Sequence, residues 1–353
     1  MSTNPTNPTT PTTPTNPTNP TTPTNPTNPT GATPTTQGVL TLSMSAHPAQ
    51  RVTLAAAKID ALPESQAAVH YDERDTWTST RGGLVRLDTT DVLTLFDPTT
   101  LQPIGGFDLH NVAGANQPEF KSAVRLSPDG KLLLGYLQLN YQSDNPVITV
   151  LDLQGKVVQS GSPYTYDRYW HRHLFDWLPD GRYVYLAGEF IAVADLKAGM
   201  VARVAFPLPA SITTEGGMLR ASPDGKRLLL ALGTNVSGTM YTLLYTVNID
   251  GTGFKQLTKP SDRVVASGIR MGHGNATWSP DGKWIAFSAR GVNPGTPGFY
   301  QSCQAVQVIP SDAAAPVSVD GTDDPADRRL TLIDAQGKKT VVEDCAFYEM
   351  SWQ

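Results

Sequence analysis

A short turn motif, Ser-Pro-Asp-Gly, recurs along this 353-residue chain and constrains its fold more than any other feature. The fullest copy lies within 278–287, and other copies have their turn aspartates at Asp129, Asp180 and Asp224. Proline presets φ at the first corner of such a turn, aspartate bonds the local backbone, and glycine takes the positive φ that follows. Because an apolar run follows each turn, every copy predicts two antiparallel strands joined by a tight turn.

A second pattern follows each turn, an alternating strand that ends in Asp and leads through a polar turn into another short strand. Its examples end at Asp97, Asp152, Asp195, Asp250 and Asp334. Four short strands per repeat, at a period of about 50 residues, are typical of a β-propeller blade. The sequence therefore predicts an all-β propeller, with strands a to d in each blade and the Ser-Pro-Asp-Gly turn between a and b.

The number of repeats favours six blades in a domain that spans residues 37–353. Residues 39–71 supply strands b, c and d of a first blade, and the last strand, Phe347–Trp352, resembles a strand a. If these two segments pair, the ring closes and removes the unpaired strand edges that promote aggregation. The predicted ring is thus closed by the C-terminal strand pairing with the N-terminal blade.

The last predicted blade contains an insertion, residues 291–327, if its strand c is Leu330–Asp334 and its strand d is Lys339–Glu343. The insertion is rich in Gly, Pro, Asp and Ala, so we expect a loop at the edge of the ring. Gln304–Ile309 within it also reads as a strand, which leaves a seven-bladed ring open.

Residues 1–36 are almost wholly Thr, Pro and Asn, and this composition predicts a disordered, extended tether. Met1 leads into this tract without the basic and apolar prelude of a signal peptide. Either the protein is cytoplasmic, or a leader such as that of a lipoprotein is removed before this sequence begins. The tether favours the second interpretation, and with it a periplasmic or extracellular, surface-held protein.

The two cysteines, Cys303 and Cys345, are too few for a disulfide framework. They form one bridge in an oxidising compartment or remain two buried thiols, and the sequence leaves both alternatives open.

Charge and hydropathy exclude several classes of protein. A formal net charge of −5 without a basic stripe argues against binding to nucleic acid. No apolar run approaches the roughly 18 residues that a membrane span needs. A propeller closed within one chain is expected to be monomeric.

The loops that connect strand d to the next strand a, called here the d–a loops, carry most of the candidate binding residues. Ligands of propellers commonly meet the mouth of the central channel, where these loops converge. The candidates are Arg74, Glu119, Lys121, Arg168, Tyr169, Trp170, His171, His173, Glu215, Arg270, His273 and Asn275. Their aromatic and arginine side chains suit a protein or glycan partner, and His171, His173 and His273 suit a metal.

The repeat at 278–287, with the strand and turn at 244–253, resembles the repeat of TolB-type propellers. The resemblance covers about 39–353 and implies the propeller fold. It implies function less specifically, because such propellers serve as scaffolds, peptidase gates and lyases. We do not expect a prolyl-oligopeptidase-type enzyme, since this sequence shows no Gly-x-Ser-x-Gly elbow and no hydrolase domain after the propeller.

The segment Gly272-His-Gly-Asn275, placed before Trp278, also resembles oligogalacturonate lyases of this propeller type, in which histidines and a glutamine hold a divalent metal. Only His273 matches that arrangement by position. The sequence therefore favours a non-enzymatic binding or scaffold protein without a cofactor. The alternative is a metal-assisted, carbohydrate-active enzyme that uses a divalent ion held by the rim histidines.

Overall fold

The computed structural model describes residues 37–43, 49–62, 76–80, 83–88, 90–112, 118–120, 124–138, 147–160, 174–187, 189–267, 270–292, 304–319, 328–344 and 349–353. Arg74, Lys121, 168–173 and the two cysteines lie outside these ranges, as does the tract 1–36.

The described strands form a six-bladed β-propeller, as the repeats predict. The first blade contains β1 (Val39–Ser43), β2 (Gln50–Thr53) and β3 (Lys58–Ala61). The second contains β4 (Thr76–Thr80), β5 (Gly83–Leu87), β6 (Val92–Phe96) and β7 (Pro103–Asp108). The third contains β8 (Glu119–Phe120), β9 (Arg125–Leu126), β10 (Leu132–Gln138), β11 (Val147–Asp152) and β12 (Val157–Ser160).

The fourth blade contains β13 (Phe175–Trp177), β14 (Tyr183–Leu186), β15 (Phe190–Asp195) and β16 (Gly199–Ala205). The fifth contains β17 (Ile212–Ala221), β18 (Arg227–Val236), β19 (Thr239–Asn248) and β20 (Lys255–Gln256). After it come β21 (Thr258–Pro260) and a short helix α1 (Asp262–Ser267). The sixth blade begins with β22 (Arg270–Trp278) and β23 (Trp284–Val292). The remaining strands are β24 (Gln304–Ala305), β25 (Gln307–Pro310), β26 (Val317–Val319), β27 (Thr331–Ile333), β28 (Lys339–Val341), β29 (Glu343–Asp344) and β30 (Glu349–Trp352).

The C-terminal strand closes the ring, as predicted. β30 pairs antiparallel with β1, with Trp352 opposite Leu40 and Met350 opposite Leu42. The indole of Trp352 also donates to the carbonyl oxygen of Gln37 over 3.2 Å. β30 contacts β4 on one side and β22 on the other, so the first blade joins the second blade to the sixth.

The sixth blade is built differently from the prediction. Its third strand is β25, which pairs antiparallel with β23 so that Phe287 lies opposite Gln307. The assignment of strand c to Leu330–Asp334 and strand d to Lys339–Glu343 is therefore wrong. Val308 and Ile309 are buried against the blade, whereas Ile333 is 58% exposed. The blade therefore takes the segment whose side chains it buries as its third strand.

The segment that was predicted to form strands c and d is instead a two-stranded hairpin, β27 with β28. Backbone hydrogen bonds tie it to the blade, from the N–H of Leu330 to the oxygen of Val306 and from the N–H of Val306 to the oxygen of Val342. Leu332 and Val342 share a core cluster with β1 and β30. The hairpin thus braces the junction of the sixth and first blades. The strand that left seven blades open completes the sixth blade instead.

The Ser-Pro-Asp-Gly turns have the geometry that their residue types predict. In the sixth blade the hydroxyl of Ser279 donates to Asp281 over 2.6 Å and accepts from the N–H of Trp284 over 2.9 Å. Gly282 has a φ of 69°, a value that favours glycine. The fourth blade has Leu178 in place of the serine, and there Arg182 donates to Asp180 over 2.7 Å. The aspartates of these turns thus act in folding, as the sequence indicates.

Candidate ligand site in the channel

The inner strands of the six blades contact one another in a closed circle of β30, β4, β9, β13, β17 and β22. On each of these strands one polar side chain occupies an equivalent register position, opposite Val85, Leu134, Val184, Leu229, Ala286 and Thr41 of the neighbouring strand. We call these positions the channel ring, which consists of Thr78, Arg125, Asp176, Arg220, Thr277 and Ser351. Three consecutive blades thus contribute charges, and the other three contribute hydroxyls.

A cavity of about 340 Å³ lies at the turn end of this circle. Every residue of the channel ring except Thr78 lines it, together with the turn residues Pro128, Pro223 and Pro280. A volume of this size falls at the lower end of the range for small-molecule sites. The cavity therefore combines charged side chains with space for a small ligand.

Arg125 and Arg220 occupy equivalent positions in the third and fifth blades and are only 2% and 6% exposed. Each donates from Nη1 to the carbonyl oxygen of the preceding residue, over 3.3 Å to Val124 and 3.2 Å to Leu219. Arginine keeps its charge even when buried. The wall of the cavity thus carries two permanent positive charges.

Asp176 lies between these arginines, on the fourth blade. Its Oδ1 accepts from the N–H of Trp177 and its Oδ2 from the N–H of Ala221 on the next blade, both over 2.9 Å. Burial raises the pKa of Asp176, although the charges of Arg125 and Arg220 and the two N–H donors oppose this rise. The carboxylate thus connects the fourth and fifth blades and offsets part of the positive charge.

Two indoles connect the blades beside the charged residues. Trp177 donates from Nε1 to the carbonyl oxygen of Arg125 over 2.9 Å, and Trp278 donates to that of Arg220 over 3.1 Å. Arg227 lies over the ring of Trp278, 4.8 Å from its centroid. These contacts hold the backbones that carry both cavity arginines.

The hydroxyl half of the channel ring contains an unsatisfied polar group. Thr78 is 1% exposed, and its Oγ1 has no hydrogen-bond partner among the residues that the structure describes. A buried hydroxyl without a partner has lost its hydrogen bonds to water. Thr277 and Ser351 occupy the two equivalent positions that precede it around the ring.

The structure places few of the residues predicted from the d–a loops. Glu119 lies in β8, Glu215 in β17, and Arg270 and His273 in β22, where the backbone of each is described. Asn275 follows at an irregularity in the pairing of β22 with β23; it is 3% exposed and its Nδ2 has no partner within the described part of the chain.

Arg74, Lys121, Arg168, Tyr169, Trp170, His171 and His173 lie outside the described residues, as do Cys303 and Cys345. Among the side chains that the structure does describe, no group of three or more His, Cys, Asp or Glu could hold a metal ion. The histidine site stays a prediction from the sequence. No helix within the described ranges is long and apolar enough to cross a membrane.

Sequence reasoning missed the charged residues of the channel ring, although a signal was present. Arg125, Asp176, Arg220 and Thr277 each stand four residues before a turn aspartate. That offset marks one register in the third to sixth blades, and aligning these four repeats on it would have brought Arg125, Asp176 and Arg220 together.

No protein-family model and no curated protein matches this sequence. Among solved structures the chain is similar to a putative TolB from Agrobacterium tumefaciens, with 16% identity, coverage of 90% of this chain and 98% of that one, and a TM-score of 0.47. A protein from Lactobacillus plantarum matches with 16% identity, coverage of 90% and 99%, and a TM-score of 0.48.

An oligogalacturonate lyase in complex with manganese matches with 13% identity, coverage of 83% and 81%, and a TM-score of 0.43. At these identities the similarity concerns the fold alone, which the strand pairing of the chain establishes independently. The chain is a six-bladed β-propeller whose repeats resemble those of TolB-type propellers.

Proposed function

We propose that this protein is a non-enzymatic binding or scaffold module that receives its ligand or partner at the central channel. The observation that supports this proposal is the channel ring, in which equivalent positions of successive inner strands bring Arg125, Asp176 and Arg220 to one cavity. A closed propeller holds such side chains rigidly, because each inner strand is paired within its blade and packed against two neighbours.

The chemistry of the charged residues favours binding over catalysis. Arginine stays protonated at physiological pH and so acts by charge and hydrogen bonding rather than as a base. Both oxygens of Asp176 accept backbone N–H groups, so this carboxylate already has structural partners. The channel ring therefore offers recognition groups rather than a nucleophile with an adjacent base.

We extend the proposal to the opposite mouth of the channel, where the d–a loops carry Arg168, Tyr169 and Trp170. Aromatic and arginine side chains contribute most of the energy of many interfaces, so this mouth suits a protein or glycan partner. The tether of residues 1–36 would hold the propeller away from a cell surface, in the periplasm or outside the cell, with a lipid anchor as one form of attachment.

Proximity crosslinking with the full chain, followed by reciprocal capture of each candidate partner, tests this function. We expect the double variant Arg168→Ala, Trp170→Ala to lose the partner. The matched control is Arg203→Gln, because Arg203 lies on the outer strand β16 over the ring of Phe190. Capture that survives the double variant would contradict the assignment of the partner to this mouth.

The alternative, a metal-assisted carbohydrate-active enzyme, makes a separate prediction. It requires a stoichiometric divalent ion that the variant His273→Ala loses and Arg203→Gln keeps. Elemental analysis of the purified full chain would measure this. A retained ion together with eliminating activity on an anionic polysaccharide would replace the binding proposal.

A further inference from the structure

We propose that the turn end of the channel is a binding site for a small organic monocarboxylate, held by the guanidinium groups of Arg125 and Arg220. This inference rests on the proposed function and names the ligand class of its cavity. The site is distinct from the d–a loops, because it is lined by the turn residues Pro128, Pro223 and Pro280. The a–b turns and the d–a loops lie at opposite ends of each inner strand.

The charges of the channel ring determine whether the site favours an anion or a cation. The channel ring holds two arginines and one aspartate, and its other positions are Thr or Ser, so its formal charge is +1 with Asp176 ionised. A cation would meet a net repulsion in a partly enclosed cavity, where water screens charges poorly. An anionic group on the ligand would instead be attracted by the two guanidinium groups that line this cavity.

Geometry favours a carboxylate over other anions. The planar fork of a guanidinium matches the two oxygens of a carboxylate and forms paired, charge-assisted hydrogen bonds with it. A phosphate would bring up to two negative charges to a ring with one net positive charge. The carboxylate of Asp176 between the two arginines would repel the second of those charges.

The hydroxyl half of the ring indicates that the ligand carries additional polar groups. Thr277 and Ser351 line the cavity together with the two arginines, so a ligand hydroxyl would find hydrogen-bond partners there. Both residues stand at the register of Arg125 and Arg220. A hydroxylated monocarboxylate therefore meets both halves of the channel ring.

Isothermal titration calorimetry on the full chain tests the inference with gluconate, with sorbitol as its uncharged counterpart and with inorganic phosphate. We expect gluconate to bind at one site per chain, sorbitol to give no measurable heat, and phosphate to bind at least tenfold more weakly than gluconate. Preferential binding of phosphate, or equal binding of sorbitol, would overturn the carboxylate assignment.

Variants then locate the site. Arg220→Gln and Arg125→Gln should each weaken gluconate binding at least tenfold, whereas the control Arg203→Gln should leave it unchanged. Because replacing a buried arginine can destabilise the chain, thermal unfolding of each variant is measured first. Thr277→Val, which keeps shape and charge at a residue that lines the cavity, should weaken binding about threefold.

The two proposals fail separately. If gluconate does not bind, or binds Arg220→Gln as well as the unaltered chain, while a partner is still captured through Arg168 and Trp170, the carboxylate site is wrong and the binding module stands. If gluconate binds as expected but no partner is captured, only the interface at the d–a loops is removed.

Discussion

Two kinds of blade make up this propeller. The second to fifth blades are built from consecutive strands, and each is completed by the next stretch of chain. The first and sixth blades depend on distant segments, because β30 completes the first and the hairpin β27–β28 braces both. The local sequence pattern is sufficient to specify the second to fifth blades. The first and sixth blades form only when the N-terminal and C-terminal parts of the propeller come together. The following predictions test this difference.

The largest effect is expected from removing Glu349–Gln353. This deletion removes β30, leaves Leu40 and Leu42 without their partners, and opens both the first blade and the ring. We expect loss of cooperative unfolding and aggregation on concentration, measured by calorimetry and by light scattering. A shortened chain that melts cooperatively at the original temperature would show that the ring does not need its closing strand.

The cysteines provide a second test of the long-range junction. Gln304 pairs with Asp344 and Ala305 with Glu343, so the same register continued by one pair would set Cys303 opposite Cys345, which lie outside the described residues. We propose a disulfide here, worth about 4 kcal/mol for a loop of roughly 40 residues. Thiol titration of the denatured, unreduced protein checks it, and two free thiols would refute the bridge.

Two adjacent residues of the hairpin β27–β28, Leu332 and Ile333, test whether the hairpin braces the first and sixth blades. Leu332 is 6% exposed within the cluster that joins the first and sixth blades, whereas Ile333 is 58% exposed. We expect Leu332→Ala to lower the free energy of unfolding by about 2–3 kcal/mol and Ile333→Ala to lower it by less than about 0.5 kcal/mol. Urea unfolding measures both. Equal effects would mean that the hairpin is a surface loop.

A smaller effect is expected at the turns that every consecutive blade repeats. The hydroxyl of Ser279 accepts the N–H of Trp284, so Ser279→Ala should cost about 1 kcal/mol. Burial opposes the shift, yet hydrogen bonds from the Ser279 hydroxyl and the Lys283 N–H hold the pKa of Asp281 below its usual value.

This lowered pKa determines a pH dependence. The stabilising contribution of Asp281 is present above the unfolded-state pKa of about 3.9 and is lost as pH falls through the lower folded-state pKa. Unfolding curves from pH 6 to pH 2 should show a smaller loss of stability for Asp281→Asn than for the unaltered chain. A steeper loss in the variant would reverse the sign inferred here.

The smallest effect is expected from deleting residues 1–36. Apart from Met1 and Ala32, the Thr, Pro and Asn tract has no apolar side chain to pack on the ring, so the thermal midpoint should change by no more than about 1 °C. A drop of several degrees in a calorimetric scan would show that the tract contacts the propeller and would contradict its role as a tether.

The difference between locally built blades and blades completed by distant segments explains what the sequence could predict. The turn at Ser279–Gly282 was predictable because residue type alone determines its φ values and hydrogen bonds. The third strand of the sixth blade was not, because both Gln307–Pro310 and Leu330–Asp334 have the pattern of a strand and only packing against Phe287 and Ala286 distinguishes them.

The candidate site also has one part that the sequence indicates and one part that only the fold reveals. The sequence drew attention to the polar d–a loops, where polar residues stand out from the strands around them. Arg125 and Arg220 stand inside strands, and a charged residue within a strand reads as solvent-exposed unless its neighbours around the ring are known. Their 2% and 6% exposure results from the circle of inner strands, which no single repeat contains.

The common register of the channel ring has a consequence for how its selectivity can change. Each blade contributes one side chain to the ring, and the ladder hydrogen bonds at that position join backbone atoms, although Asp176 also accepts two backbone N–H groups with its side chain. A substitution such as Thr277→Arg or Arg125→Thr therefore alters one sixth of the pattern around the axis while the ladders stay intact. Ligand preference in such a ring is modular, and a family of variants could sample different charge sequences around the same axis on one unchanged scaffold.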